Sequence, residues 1–209
     1  MAGDRFVLRD QSAKQTLGGG RVVDPFPPAR GRRWPERLAF LAAIDRTERG
    51  QALAAALAAS PNGLDLRRFA LAHNLTPEEA AALAQPTAMR QAAGLAFSAE
   101  HAATWLGRVE EALTRWHQDF NDRAGAPPES LRRTLPLSAP RPAWAAALSM
   151  ALEEGLTKQA GPMVALTGHE ATMADADKVL WEKIEPLLLE GGLRPPRVRE
   201  LAEELDQEP

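Results

Sequence analysis

Eight basic side chains are the residues of this chain best suited to hold a phosphate. Arg30, Arg32, Arg33 and Arg37 fall in and just after a proline-rich stretch, and Arg132, Arg133, Arg141 and Lys158 follow much later. Guanidinium and ammonium groups bind nucleic-acid backbones through charge and hydrogen bonds. For the first four, a merely solvated linker is an equal expectation. Catalytic chemistry has less to draw on. The histidines His73, His101, His117 and His169 show neither HxxxH nor HxxE spacing, and no cysteine is present for a thiolate ligand or nucleophile. His117, beside Trp116, reads as a packed or exposed helix residue. Gly18-Gly19-Gly20 lacks the Lys-Ser/Thr of a phosphate loop and reads as a bulged strand. The pairs Glu78-Glu79, Glu110-Glu111 and Glu153-Glu154 read as solvated helix surface. No catalytic residue, no metal site and no cofactor is expected within the chain.

The elements that must position these residues are small. Of 209 residues 44% are apolar, but 40 are alanine, only 5% are aromatic and none is tyrosine. Such a composition favours several small helical units over one large core. The net charge of −3 hides an asymmetry: residues 1–40 carry eight Lys/Arg against four acids. Local potential, rather than the average, attracts polyanions. No apolar run approaches a membrane span, and no secretory signal is legible. A cytoplasmic protein with no membrane partner is expected.

Residues 4–10 and Leu17 to Val23 read as two strands of a ribbon. Phe6, Leu8 and Val22 need cover, which predicts that the ribbon leans on the first helices. Pro25 to Arg33 reads as an extended linker. Helical spacing then begins at Pro35. Leu38, Leu41 and Ile44 lie at helical spacing, Ala52 to Ala59 is helix-prone, and Asn62-Gly63 ends this first of three short helices. Leu64 to Leu71 reads as another short helix. Thr76-Pro77-Glu78-Glu79 spells a capping box with Pro at the first helical position, and a hairpin around Gln91 to Gly94 follows. Short helices followed by a hairpin make a winged helix. The order then repeats. Ser98 caps a long helix bearing Trp105, Val109, Leu113 and Trp116. Glu129 to Leu135 and a segment from Pro142 with Trp144 supply two more helices, and Leu156 to Thr167 a second wing. A third copy starts at Thr172, with a stop at Gly191-Gly192 and a last helix opened by Pro195-Pro196. The tryptophans read as core anchors rather than base-stacking platforms. The fold class is mainly α with small β-hairpins: tandem winged helices preceded by a β-ribbon.

Arg5-Phe6-Val7-Leu8-Arg9 and Thr16-Leu17-Gly18-Gly19-Gly20-Arg21-Val22-Val23-Asp24-Pro25 resemble the last strands of the third β-barrel domain of translational GTPases. The second motif is closest in form to the bacterial selenocysteine-specific elongation factors, and Gly192 to Ala202 resembles the opening of that family's third winged helix. The resemblance implies these spans: 1–25 terminal barrel strands, 26–36 linker, 37–98 and 99–168 two winged helices, 169–209 an incomplete third. It implies that a GTPase domain with GTP and magnesium precedes residue 1, and that a fourth winged helix binding the messenger RNA hairpin near a UGA codon follows residue 209. Selenocysteinyl-tRNA and the ribosome would be partners of the whole factor. This chain would be a monomeric, non-catalytic spacer with weak RNA contact of its own. The alternatives are a winged-helix DNA-binding transcription regulator and a protein-interaction scaffold.

Overall fold

The computed structural model describes residues 1–135, 139–173, 175–191 and 194–205. Strands β1 (Arg5–Arg9) and β2 (Thr16–Arg21) form an antiparallel ribbon. Phe6 is paired with Gly20, and its ring lies 2.8 Å from where a Cβ on Gly20 would stand, so only glycine lets the aromatic lie across the partner strand. The ribbon is tied down at its root alone. Ala2 N donates to Ala72 O (2.8 Å), Val22 N to Asp4 O (2.8 Å), and Arg21 pairs with Asp45. The cover expected for Phe6 and Leu8 is absent: Val7 and Leu17 are 65% exposed, and Phe6 and Leu8 are exposed as well. With its described ties at residues 1–4 and 21–24, the hairpin projects away from the helices, and of its large apolar side chains only Val22 and Val23 reach partial cover.

Seven elements make the first helical unit: α1 (Pro35–Ile44), α2 (Arg49–Ala58), β3 (Leu64–Asp65), α3 (Leu66–Ala72), α4 (Pro77–Ala84), β4 (Met89–Ala92) and β5 (Leu95–Ser98). Local chemistry sets their ends. Glu48 caps α2 by accepting from Gly50 N and Gln51 N, Asp65 caps α3 by accepting from Arg68 N (2.9 Å), and Thr76 and Glu79 close the capping box of α4. Leu64, which the spacing assigned to a helix, is instead a strand residue paired with Ala96. A two-residue strand has no period to read, and the Asp65 cap starts the helix two positions later, at Leu66. The sheet runs β3-β5-β4. Ala93 (φ 47°) and Gly94 (φ 79°) supply the two positive φ angles of a type I′ hairpin.

The second unit comprises α5 (Ala99–Asp119), α6 (Pro128–Thr134), α7 (Arg141–Glu153), β6 (Thr157–Ala160) and β7 (Met163–Leu166). Ser98 caps α5 by accepting from His101 N at 3.2 Å. Gly161, at φ 62°, turns the second hairpin, and Ala126 bridges to Val164.

The two units share a core. Ala92 and Phe97 of the first wing are buried in one cluster with Trp105, Val109, Leu113, Trp144 and Met150 of the second unit. Trp105 is 1% exposed, and its Nε1 donates to Pro61 O at 2.8 Å across the boundary. Large side chains buried in this way each contribute roughly 1.5–3 kcal/mol. The Arg90–Glu154 ion pair (2.7 Å) also crosses the joint, but both partners are solvated and such a pair adds about 0–1 kcal/mol. Apolar burial holds the joint.

Beyond it lie α8 (Asp175–Glu190), with Pro186 inside, and α9 (Val198–Glu204). Thr172, expected as an N-cap, uses its own N–H on Asn121 O (3.0 Å). Gly192 and Leu193, part of the expected stop and of the family-like opening, lie outside the described residues.

Candidate nucleic-acid interface

The linker arginines are not equally free. Asp24 accepts from Arg37 Nη2 at 2.6 Å and from Phe26 N at 2.8 Å, and the Arg37 guanidinium stands 5.4 Å from the Phe40 ring centroid. Arg37 is half-buried and committed to the body. Arg32 Nε donates to Pro28 O (3.1 Å), and Arg68 Nη2 donates to Phe26 O (2.8 Å) while lying over the Phe26 ring. The segment read as an extended linker is therefore pinned to the first unit. Arg30 and Arg33 are exposed and have no hydrogen-bond or ion-pair partner among the described residues. Between Arg33 and Arg37 the indole of Trp34 rests on Gly31 and is 66% exposed. The sequence reading passed over Trp34, although an exposed aromatic among arginines is the composition of a base-stacking surface.

A second cluster forms where α6 gives way to α7. Arg132 clasps Glu129 with two bonds, Nε to Oε2 (2.9 Å) and Nη2 to Oε1 (2.7 Å), and its Nη1 donates to Ala139 O (2.7 Å). Arg141 reaches the same carboxylate at 3.4 Å and Arg133 at 3.8 Å. Arg132 first, and Arg141 after it, hold the Glu129 pKa down to about 2. Arg132, named from sequence as a phosphate candidate, is spent on this internal clasp. Arg133 and Arg141 are 73% and 76% exposed and keep donors for an outside anion.

Lys158 is corrected in the same way. Its Nζ donates to Thr167 O (3.1 Å) and His169 O (2.6 Å), fastening the segment that leaves the second wing. That segment also carries His169 onto His117, with rings stacked at 3.5 Å and 15° apart. His117 Nε2 accepts from Leu166 N (3.3 Å), which places any ring proton on Nδ1. Burial lowers its pKa, helped by His169 and Lys158. Sequence spacing could not pair these histidines, because the strap between the wing and Thr172 brings them together. Among the described residues no group of three or more His, Cys, Asp or Glu could hold a metal ion.

The usual winged-helix grip, third helix in a groove and wing on the backbone, finds few basic donors on the third helix of either unit. In the first, the first turn of α4 holds Glu78 and Glu79, the helix carries no base, and its wing packs Ala92 and Phe97 against the second unit. In the second, the third helix α7 buries six of its thirteen residues, including Trp144 and Met150. What stays open is a set of separated arginines.

Two family models match this chain. Residues 1–29 match the beta-barrel domain of selenocysteine-specific elongation factors, and residues 111–166 match a winged helix of elongation factor SelB. The selenocysteine-specific elongation factor of Escherichia coli (strain K12) is 34% identical over 208 residues, covering 96% of this chain and 32% of that protein. Over these segments the chain is similar to the SelB family. The selenocysteine-specific elongation factor of Haemophilus influenzae is 25% identical over 183 residues, covering 87% of this chain and 29% of that protein. The chain thus spans about a third of the length of these curated relatives. A SelB-type barrel segment at residues 1–29 accounts for a ribbon whose apolar side chains find no cover on the helices. No helix among the described residues is long and apolar enough to cross a membrane.

Proposed function

We propose that this chain is a non-catalytic spacer of a selenocysteine-specific translation factor in the cytoplasm. It would join a barrel-bearing GTPase body to winged helices that bind the messenger RNA hairpin for selenocysteine insertion at UGA. The observation that carries this reading is the fused joint. The first wing and Trp105 are built into a common core, so two tandem units act as one strut instead of two beads on a string. A device that must hold two distant binding ends in register needs that stiffness. GTP, magnesium and selenocysteinyl-tRNA would belong to the rest of the factor, and the chain alone would act as a monomer without GTP turnover.

Exchanging the corresponding segment of the Escherichia coli relative for this chain, then measuring selenocysteine insertion in cells, tests the reading. Insertion is expected to persist. It should drop when a flexible glycine-serine insert is placed next to Trp105. Insertion that is indifferent to that insert would defeat the strut.

Within the same reading, Arg30 and Arg33 beside Trp34, with Arg133 and Arg141, supply weak and salt-sensitive RNA contact. Each single-strand phosphate contact adds about 0.7 to the log–log salt slope, so Arg30→Gln with Arg33→Gln should flatten the slope by about 1.4. The buried α7 and the acid-led α4 weigh against a DNA-binding regulator.

A further inference from the structure

A cleft of about 270 Å³ lies between the root of the ribbon and the first helices, lined by none of the eight basic residues singled out from the sequence. Arg5, Arg21, Arg46 and Arg49 line it together with Asp45 and His73. Arg5 and Arg21 face each other across the ribbon, an arrangement of like charges that is destabilising unless an anion offsets it. Asp45 is the one carboxylate in the lining, and it is taken by Arg21. Two neighbouring acids are committed elsewhere: Glu48 to the cap of α2 and Asp24 to Arg37. Arg46 Nε donates to Ala43 O (3.2 Å). Arg5 and Arg49 are exposed and have no hydrogen-bond or ion-pair partner among the described residues. The pKa of half-buried His73 is lowered by burial first and by the Arg49 charge next, with Asp24 acting against the shift.

We propose that this cleft binds a phosphate group, with Arg5 and Arg49 as its free donors from two different elements. Two guanidinium forks in the lining of a pocket of this size match the tetrahedral oxygens of one phosphate better than they match a lone carboxylate. That the phosphate belongs to RNA rests on the translation-factor reading. That the cleft takes a phosphate rests on its residues alone.

The test uses the 209-residue chain with two probes: a labelled single-stranded RNA of mixed sequence and inorganic pyrophosphate. Arg5→Gln with Arg49→Gln is expected to weaken RNA binding at least about fivefold at low salt, and to flatten the log–log salt slope by about 1.4. Arg194→Gln with Arg199→Gln removes the same charge outside the cleft lining and should leave affinity within about 1.5-fold. Pyrophosphate should shift the Thr47 and Arg49 amide resonances in the wild type and not in the Arg5/Arg49 variant. If pyrophosphate behaves so while RNA affinity ignores the double variant, the cleft takes a free phosphate and the RNA source falls. If the double variant, folded by circular dichroism, handles both probes like the wild type, the cleft proposal is overturned.

Discussion

Glu129 holds together the turn from α6 into α7, and its chemistry is testable by pH. Its folded pKa, about 2, lies below the ordinary 4.5 because Arg132 clasps the charged form, with Arg141 adding to the effect. A carboxyl depressed in this way contributes stability that is fully present above the unfolded pKa and is lost as pH falls from about 4.5 towards 2. Wild type and Glu129→Gln melted across pH should therefore differ by a constant amount above pH 5 and converge in acid. A gap that stays constant down to pH 2 would show that the clasp adds nothing. His117 gives a second window. Burial lowers its pKa from the usual 6.5, so the unfolded chain takes up its proton first and stability declines as pH drops below about 6.5. His117→Gln keeps an acceptor for Leu166 N without titrating, and its stability should vary less between pH 7 and 5. His73 is shifted in the same direction, so the slope shrinks without vanishing.

Among the elements, the ribbon and the first wing make an instructive pair. Both are short antiparallel hairpins, yet one is bare and the other is buried on a partner. A lone two-stranded ribbon is marginal in water. The amides of Val7 and Gly19 should therefore exchange with solvent far faster than those of Ala96 and Phe97, and equal protection would mean that something covers the ribbon after all. Much of this layer was legible in sequence. Thr76 and Glu79, Ser98, and the two wing turns are local signals that need only neighbouring residues. Leu64 was misread because a two-residue strand has no period. The placement of the ribbon was misread because exposed Phe6 and Leu8 announce that they need cover but not from where. At the candidate site, sequence found the arginines and missed their commitments. Arg37, Arg132 and Lys158 spend their donors on Asp24, on Glu129 and Ala139, and on two carbonyls, pairings that only the fold creates.

For the molecule as a whole, the shared core means that the two units should unfold together. Wild type is expected to show one melting transition across residues 35–167, by fluorescence and by circular dichroism alike. Trp105→Ala removes a fully buried indole and should cost about 3–5 kcal/mol. It also frees Pro61 O, so the variant should melt in two steps as the units separate. Two steps already present in the wild type would show that the joint is weaker than its packing implies. The repeat that sequence displays so openly, helix to hairpin and again, conceals this fusion, because Trp105 and Pro61 are 44 positions apart.

The buried first wing also constrains heredity. A bulkier or smaller residue at Phe97 changes the room left for Trp105 and Met150, which are fully buried in the same cluster. Substitutions on either side of Ser98 should therefore be inherited in compensating pairs, and neither repeat can be shuffled, swapped or lost on its own without undoing its neighbour.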